Sequence, residues 1–104
     1  MREGPYKIGI IGAGIIAEFS HIPVLKTIPD VKVQWVFDKN SDRSRLLSDM
    51  YGIDIKHEEA LEKGIEEVDI CLLTVPFGVR IPYIQICADK NKAVYVEKPF
   101  ATNN

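Results

Sequence analysis

The sequence is poor in cysteine: Cys71 and Cys87 are its only two, both in apolar surroundings and without CxxC spacing. They read as reduced, buried thiols of a cytoplasmic protein. Histidine is equally scarce. His21 and His57 stand far apart, with no HxxxH pattern and no Cys/His cluster, so no metal site is expected. No apolar run approaches the roughly 20 residues that span a bilayer. The stretch that follows the charged N-terminus is short and broken by Gly9, Gly12 and Gly14, which argues against a signal peptide. Nor does one sign of charge dominate. With 13 Lys and Arg against 15 Asp and Glu the net charge is −2, and a pI of 5.6 lacks the basic footprint of a nucleic-acid binder. Repeats, linkers and low-complexity segments are missing as well. What remains is 104 residues with a 46% hydrophobic share, the size and composition of one globular domain.

Short β-branched runs alternate with longer mixed segments. Tyr6 to Ile11 is apolar and bounded by glycine, which predicts a buried strand. A helix is expected from Ile15, with a kink or restart around Ser20 to Ile22, because Pro23 has no N–H to return to Phe19. Val31 to Asp38 predicts a second strand. Ser41 is the expected N-cap of a helix running to Met50, with Asp42 in its first turn and Gly52 as its stop. A short strand over Asp54 to Lys56 and a weak helix over Glu58 to Lys63, ended by Gly64, come next. Val68 to Val75 carries the strongest buried-strand signal. A helix from Arg80 to Asp89, with Ile81, Ile84 and Cys87 at core spacing, and a strand over Ala93 to Glu97 complete the series. Strands alternating with helices predict right-handed βαβ units. The expected fold is therefore an α/β, doubly wound Rossmann-type parallel sheet of order 3-2-1-4-5, with helices on both faces.

Gly12, Gly14 and Ala17 form a GxGxxA motif directly after the first strand. Gly12 permits a tight turn, Gly14 lets the backbone approach a pyrophosphate, and Ala17 keeps the following helix near the sheet. The pyrophosphate is expected at the start of that helix. No lysine follows as it does in a P-loop. Asp38, 24 residues beyond Gly14 at the end of the second strand, completes the dinucleotide fingerprint. A carboxylate there accepts from the adenosine ribose hydroxyls and repels a 2′-phosphate, which favours NAD over NADP. Lys39 and Arg43 stand close by as candidates for holding a phosphate, although solvated charge at a helix start is the plainer reading.

Two further segments, Val75-Pro76-Phe77-Gly78-Val79-Arg80 and Val96-Glu97-Lys98-Pro99-Phe100-Ala101, join these motifs. Together they make the whole chain resemble the N-terminal domain of the glucose–fructose oxidoreductase / inositol dehydrogenase / MocA family. That resemblance implies a dinucleotide-binding domain over residues 1–104, with the family's second, substrate-binding α/β domain absent. It implies hydride transfer between NAD (NADP being possible) and a sugar, cyclitol or sugar-nucleotide alcohol, in a cytoplasmic protein that forms a homo-oligomer at full length.

On this reading Gly12, Ala13, Gly14 and Ile15 present the pyrophosphate loop, with Ile16 packed beneath. Thr74, Val75, Pro76 and Phe77 flank the cofactor, and Glu97 orients Lys98 or pairs with a basic neighbour. Lys98 meets the nicotinamide and the reacting hydroxyl as the catalytic candidate, and Pro99 follows a cis peptide. Lys98 also falls beyond the carboxyl end of a strand, where open α/β sheets bind ligands. Two positions depart from the family pattern. Val75 stands where a threonine is usual, so a hydroxyl is lost. Arg80 stands where a histidine is usual; it is a candidate for holding an anionic substrate group such as a carboxylate or phosphate, although a helix-start residue making surface contacts is the plainer reading. His21 is a candidate for lining the cofactor cleft, although capping or packing is the plainer reading, and His57 is expected to sit in a loop or cap. The rival reading is a cofactor-binding or regulatory module without turnover. A chain of this length is also expected to expose a sheet edge and a cleft face.

Overall fold

A computed structural model of the chain describes residues 4–14, 17–75 and 79–96. Its centre is a five-stranded parallel sheet of order β3-β2-β1-β4-β5. The strands are β1 (Tyr6–Ile11), β2 (Val31–Phe37), β3 (Asp54–Ile55), β4 (Ile70–Leu73) and β5 (Ala93–Val96). The helices are α1 (Ile22–Leu25), α2 (Ser41–Tyr51), α3 (Leu61–Glu66) and α4 (Ile81–Asp89). Both the strand order and the all-parallel pairing agree with the sequence expectation.

Alternation along the strands divides the core into two layers. Ile11, Trp35, Phe37, Cys71 and Leu73 point to the side covered by Leu61 and Ile65 of α3 and by Tyr83 and Cys87 of α4. Ile8, Ile10, Val36 and Leu72 point to the other side and meet Ile22 of α1 and Leu47 of α2. The interior strands are apolar on both faces because both faces are covered. Trp35 fits only because Gly9, its register partner on β1, has no side chain. A Cβ at Gly9 would stand under 3.0 Å from three indole ring atoms. The indole N–H donates to the Gly64 carbonyl at 3.0 Å.

Several local expectations are corrected. Asn40, not Ser41, caps α2: its backbone is extended and its side chain accepts from the Asp42 N–H at 3.0 Å. Gly52 ends that helix in the left-handed conformation, φ +67°. Gly64 does not stop α3, which continues through it to Glu66. A Cβ there would lie 2.8 Å from the flexible Lys56 side chain, which would have to shift aside. Cys87 and Ile84 of the expected α4 stripe do face the core, but Tyr83 joins them in place of Ile81, which is turned to solvent. Pro23 has the predicted effect. A π-helical turn over Ala17–His21 precedes α1, which restarts with the proline in its first turn.

Candidate functional site

The carboxyl ends of β1, β2 and β4 converge on the Gly12–Gly14 loop. Gly12 leaves β1 with φ +116°, a conformation that side chains other than glycine's rarely adopt. Its N–H donates to the Phe37 carbonyl at 2.8 Å, which ties the turn to the end of β2. Thr74, just past β4, holds it from the other flank. The Thr74 N–H donates to the Ile11 carbonyl at 2.9 Å, and its hydroxyl donates to the Gly12 carbonyl at 2.8 Å. A Cβ at Gly12 would also crowd the Thr74 carbonyl carbon at 3.0 Å. Glycine is therefore required here for conformation and for space. At Gly14 a Cβ would meet nothing within 4 Å, so the loop borders open space at that point.

Asp38 follows β2 and closes the loop from the third side. Its Oδ2 accepts from the Ala13 N–H at 2.7 Å, and its Oδ1 accepts from the Asn40 N–H at 2.8 Å. An ionised carboxylate has about four acceptor positions, so two backbone donors leave room for a pair of hydroxyls. Ala17 is fully buried in the layer beneath the loop, as close helix–sheet packing requires. The Glu18 N–H donates to the Gly14 carbonyl at 3.0 Å, which marks the first helical turn after the loop. The restart expected around Ser20 to Ile22 is seen where the π-helical segment over Ala17–His21 gives way to the four residues of α1.

Arg43 is no solvated charge. From α2 its Nε donates to the Ala13 carbonyl at 2.7 Å, and its Nη2 reaches Glu18 Oε1, also at 2.7 Å. Glu18 is buried, and its carbonyl accepts from the Tyr51 hydroxyl at 2.6 Å. Local patterning missed this network, because its partners lie 25 to 33 residues apart. Lys39 is exposed and borders a cleft of 150 Å³ shared with Asp38, Ser41, Lys56 and His57.

Val75 is half-buried against the layer that holds Tyr83. The hydroxyl that serves the loop comes instead from Thr74, its neighbour. Arg80 is not a surface residue. It is 8% exposed, and its Nη2 donates to the Val75 carbonyl at 3.3 Å, which ties the start of α4 to residue 75. His21 lines an apolar cleft with Ile8, Leu25 and Tyr95. His57 is exposed and makes no side-chain cap bond to the turn that follows it. Cys71 and Cys87 are free and buried. Contact with the Cys87 thiol and then burial push the Cys71 thiol up, so it stays protonated.

Ile15, Ile16, Pro76, Phe77, Glu97, Lys98 and the Lys98–Pro99 peptide lie outside the described residues. Among the described residues no group of His, Cys, Asp and Glu could hold a metal ion, and no helix is long and apolar enough to cross a membrane.

The arrangement has known counterparts. The model of the oxidoreductase family with an NAD-binding Rossmann fold, Gfo/Idh/MocA, matches residues 6–104. A dTDP-3,4-didehydro-2,6-dideoxy-alpha-D-glucose 3-reductase from Streptomyces antibioticus is 26% identical over 95 residues, covering 89% of this chain and 28% of that protein. A 3-ketoreductase from Actinomadura kijaniata, solved in complex with NADP, superposes with a TM-score of 0.81 at 25% identity, covering 96% of this chain and 32% of that one. An oxidoreductase from Thermotoga maritima gives 0.79 at 27% identity, over 95% of this chain and 31% of that one. The chain thus spans under a third of the length of these relatives.

Proposed function

Since the chain belongs to the Gfo/Idh/MocA oxidoreductase family with its NAD-binding Rossmann fold, we propose that it is the cofactor-holding domain of an NAD-preferring enzyme that acts on a sugar, cyclitol or sugar-nucleotide alcohol. One observation carries the cofactor part of this reading. The Asp38 carboxylate is held against the glycine loop by the Ala13 N–H at 2.7 Å, which puts a ribose acceptor and a pyrophosphate loop side by side. The residues present fit such a group. Gly14 borders open space, and Asp38 keeps acceptor positions beyond its two backbone donors. A 2′-phosphate would face the carboxylate's charge, which supports NAD over NADP. Arg43, already engaged with Glu18 and Ala13, offers that phosphate little compensation.

When bound, the nicotinamide supplies the hydride acceptor or donor. The protein's own share is to hold the dinucleotide and to manage the proton. Lys98, two residues beyond β5 in sequence, is the residue we assign to the substrate hydroxyl. A lysine shielded from water by bound substrate has a lowered pKa and exchanges a proton readily with an alcohol. The sugar-like substrate class is supported by the Streptomyces antibioticus relative, a sugar-nucleotide 3-reductase. We assign the substrate walls to a further domain of the kind that fills the rest of the relatives' length.

Titration calorimetry with NADH and NADPH tests the cofactor reading. NADH is expected to bind more tightly, and Asp38→Ala to lose at least about tenfold in NADH affinity, the loss of a charged hydrogen-bonding group. Tighter NADPH binding, or unchanged binding in the variant, overturns the preference. The catalytic assignment is tested in a longer form that turns over sugars or cyclitols. There Lys98→Met is expected to lower kcat by about 10² or more with little change in NADH affinity. Unaltered kcat removes Lys98 from the chemistry.

A further inference from the structure

The geometry points to Arg43 as a positioning residue that aims the glycine loop at the dinucleotide, rather than as a ligand of a 2′-phosphate. The inference rests on the dinucleotide reading above and deepens it. The peptide units flanking Ala13 are gripped from both sides. The Ala13 N–H is taken by Asp38 Oδ2 and the Ala13 carbonyl by Arg43 Nε, each at 2.7 Å. No cis peptide occurs among the described residues. In a trans peptide the carbonyl of one residue and the N–H of the next point in opposite directions. Fixing the Ala13 carbonyl toward Arg43 therefore fixes the Gly14 N–H away from it. Gly14 is also where the loop borders open space.

Electrostatics supports the same role. Glu18 is buried one turn beyond Gly14, and alone its carboxylate would oppose an anion at the loop. Arg43 Nη2 pairs with it at 2.7 Å, with side-chain exposures of 28% for Arg43 and 11% for Glu18. One guanidinium thus orients the loop carbonyl and neutralises the nearest buried acid. The planar fork can do both at once, whereas a lysine ammonium on a flexible stem cannot reproduce the pair of bonds. Turning Arg43 toward a 2′-phosphate would break both.

The test is calorimetry of wild type, Arg43→Met and Arg43→Lys with NADH and NADPH, together with ¹⁵N–¹H spectra of the Gly14 amide during titration. Arg43→Met is expected to weaken both dinucleotides alike, by about tenfold or more. It should also abolish the cofactor-induced shift of the Gly14 amide at saturation, a change that loss of stability alone does not produce. Arg43→Lys should recover only part of the affinity. If Arg43→Met loses the resonance dispersion of a folded chain, Arg43→Lys carries the same readings. Loss confined to NADPH, or wild-type affinity with the Gly14 shift intact, overturns the inference. Wild type that binds neither dinucleotide overturns the proposed function itself, so the two failures are distinguishable.

Discussion

The two sides of the sheet share the same strands but are finished differently. On the side of α3 and α4 the layer is closed. Trp35 is 1% exposed with its indole N–H satisfied by Gly64, and Phe37 meets Tyr83 edge to face at 6.2 Å. On the side of α1 and α2, α1 is only four residues long. An open apolar cleft of 280 Å³ remains beside it, lined by Ile8, Leu25, Ile70, Leu72 and Tyr95. Tyr95 there is 58% exposed. The closed side is sealed, packed apolar structure. The second side carries Arg43, Glu18 and Tyr51, which brace the loop, and it leaves the cleft beside β4 and β5.

That contrast can be broken most sharply at Gly9. Gly9→Ala forces a methyl into the Trp35 ring, which is pinned by burial and a hydrogen bond and cannot move aside. A loss of about 3 kcal/mol is expected, read as a lower denaturation midpoint and a shifted Trp35 emission. A change below about 0.5 kcal/mol would show that the closed layer yields as easily as the open one. The complementary substitution, Tyr95→Ser, touches the open side and should stay within about 0.5 kcal/mol. A larger loss would mean that the cleft is packed in solution.

The strand order was legible because each inner strand is a dense apolar run with a glycine, Asn or Asp at its boundary, and such punctuation survives in a single sequence. The nearness of Asp38 to the loop follows from that topology, since neighbouring parallel strands bring their carboxyl ends together. What was illegible depends on partners distant in sequence. Gly64 reads locally as a helix stop, yet α3 runs through it and its carbonyl receives the Trp35 indole N–H. Arg80 reads as a charge at a helix start, yet it is buried on the Val75 carbonyl. Arg43 and Glu18 show no mutual periodicity at 25 residues apart, so only the folded chain reveals that they are a pair. The cap on Asn40 rather than Ser41 is a one-residue ambiguity between two good capping types.

The Thr74 hydroxyl reaches the Gly12 carbonyl across 62 residues of sequence. A chain synthesised from its N-terminus meets its own glycine turn early and the latch for that turn late. Until β4 has emerged, β1 is an edge strand with one neighbour, and the carbonyl of its turn lacks the hydroxyl that later holds it. The central strand thus gains its second neighbour only after residues 70–73 have been made. The glycine turn is therefore not held from both flanks until residue 74 docks against it.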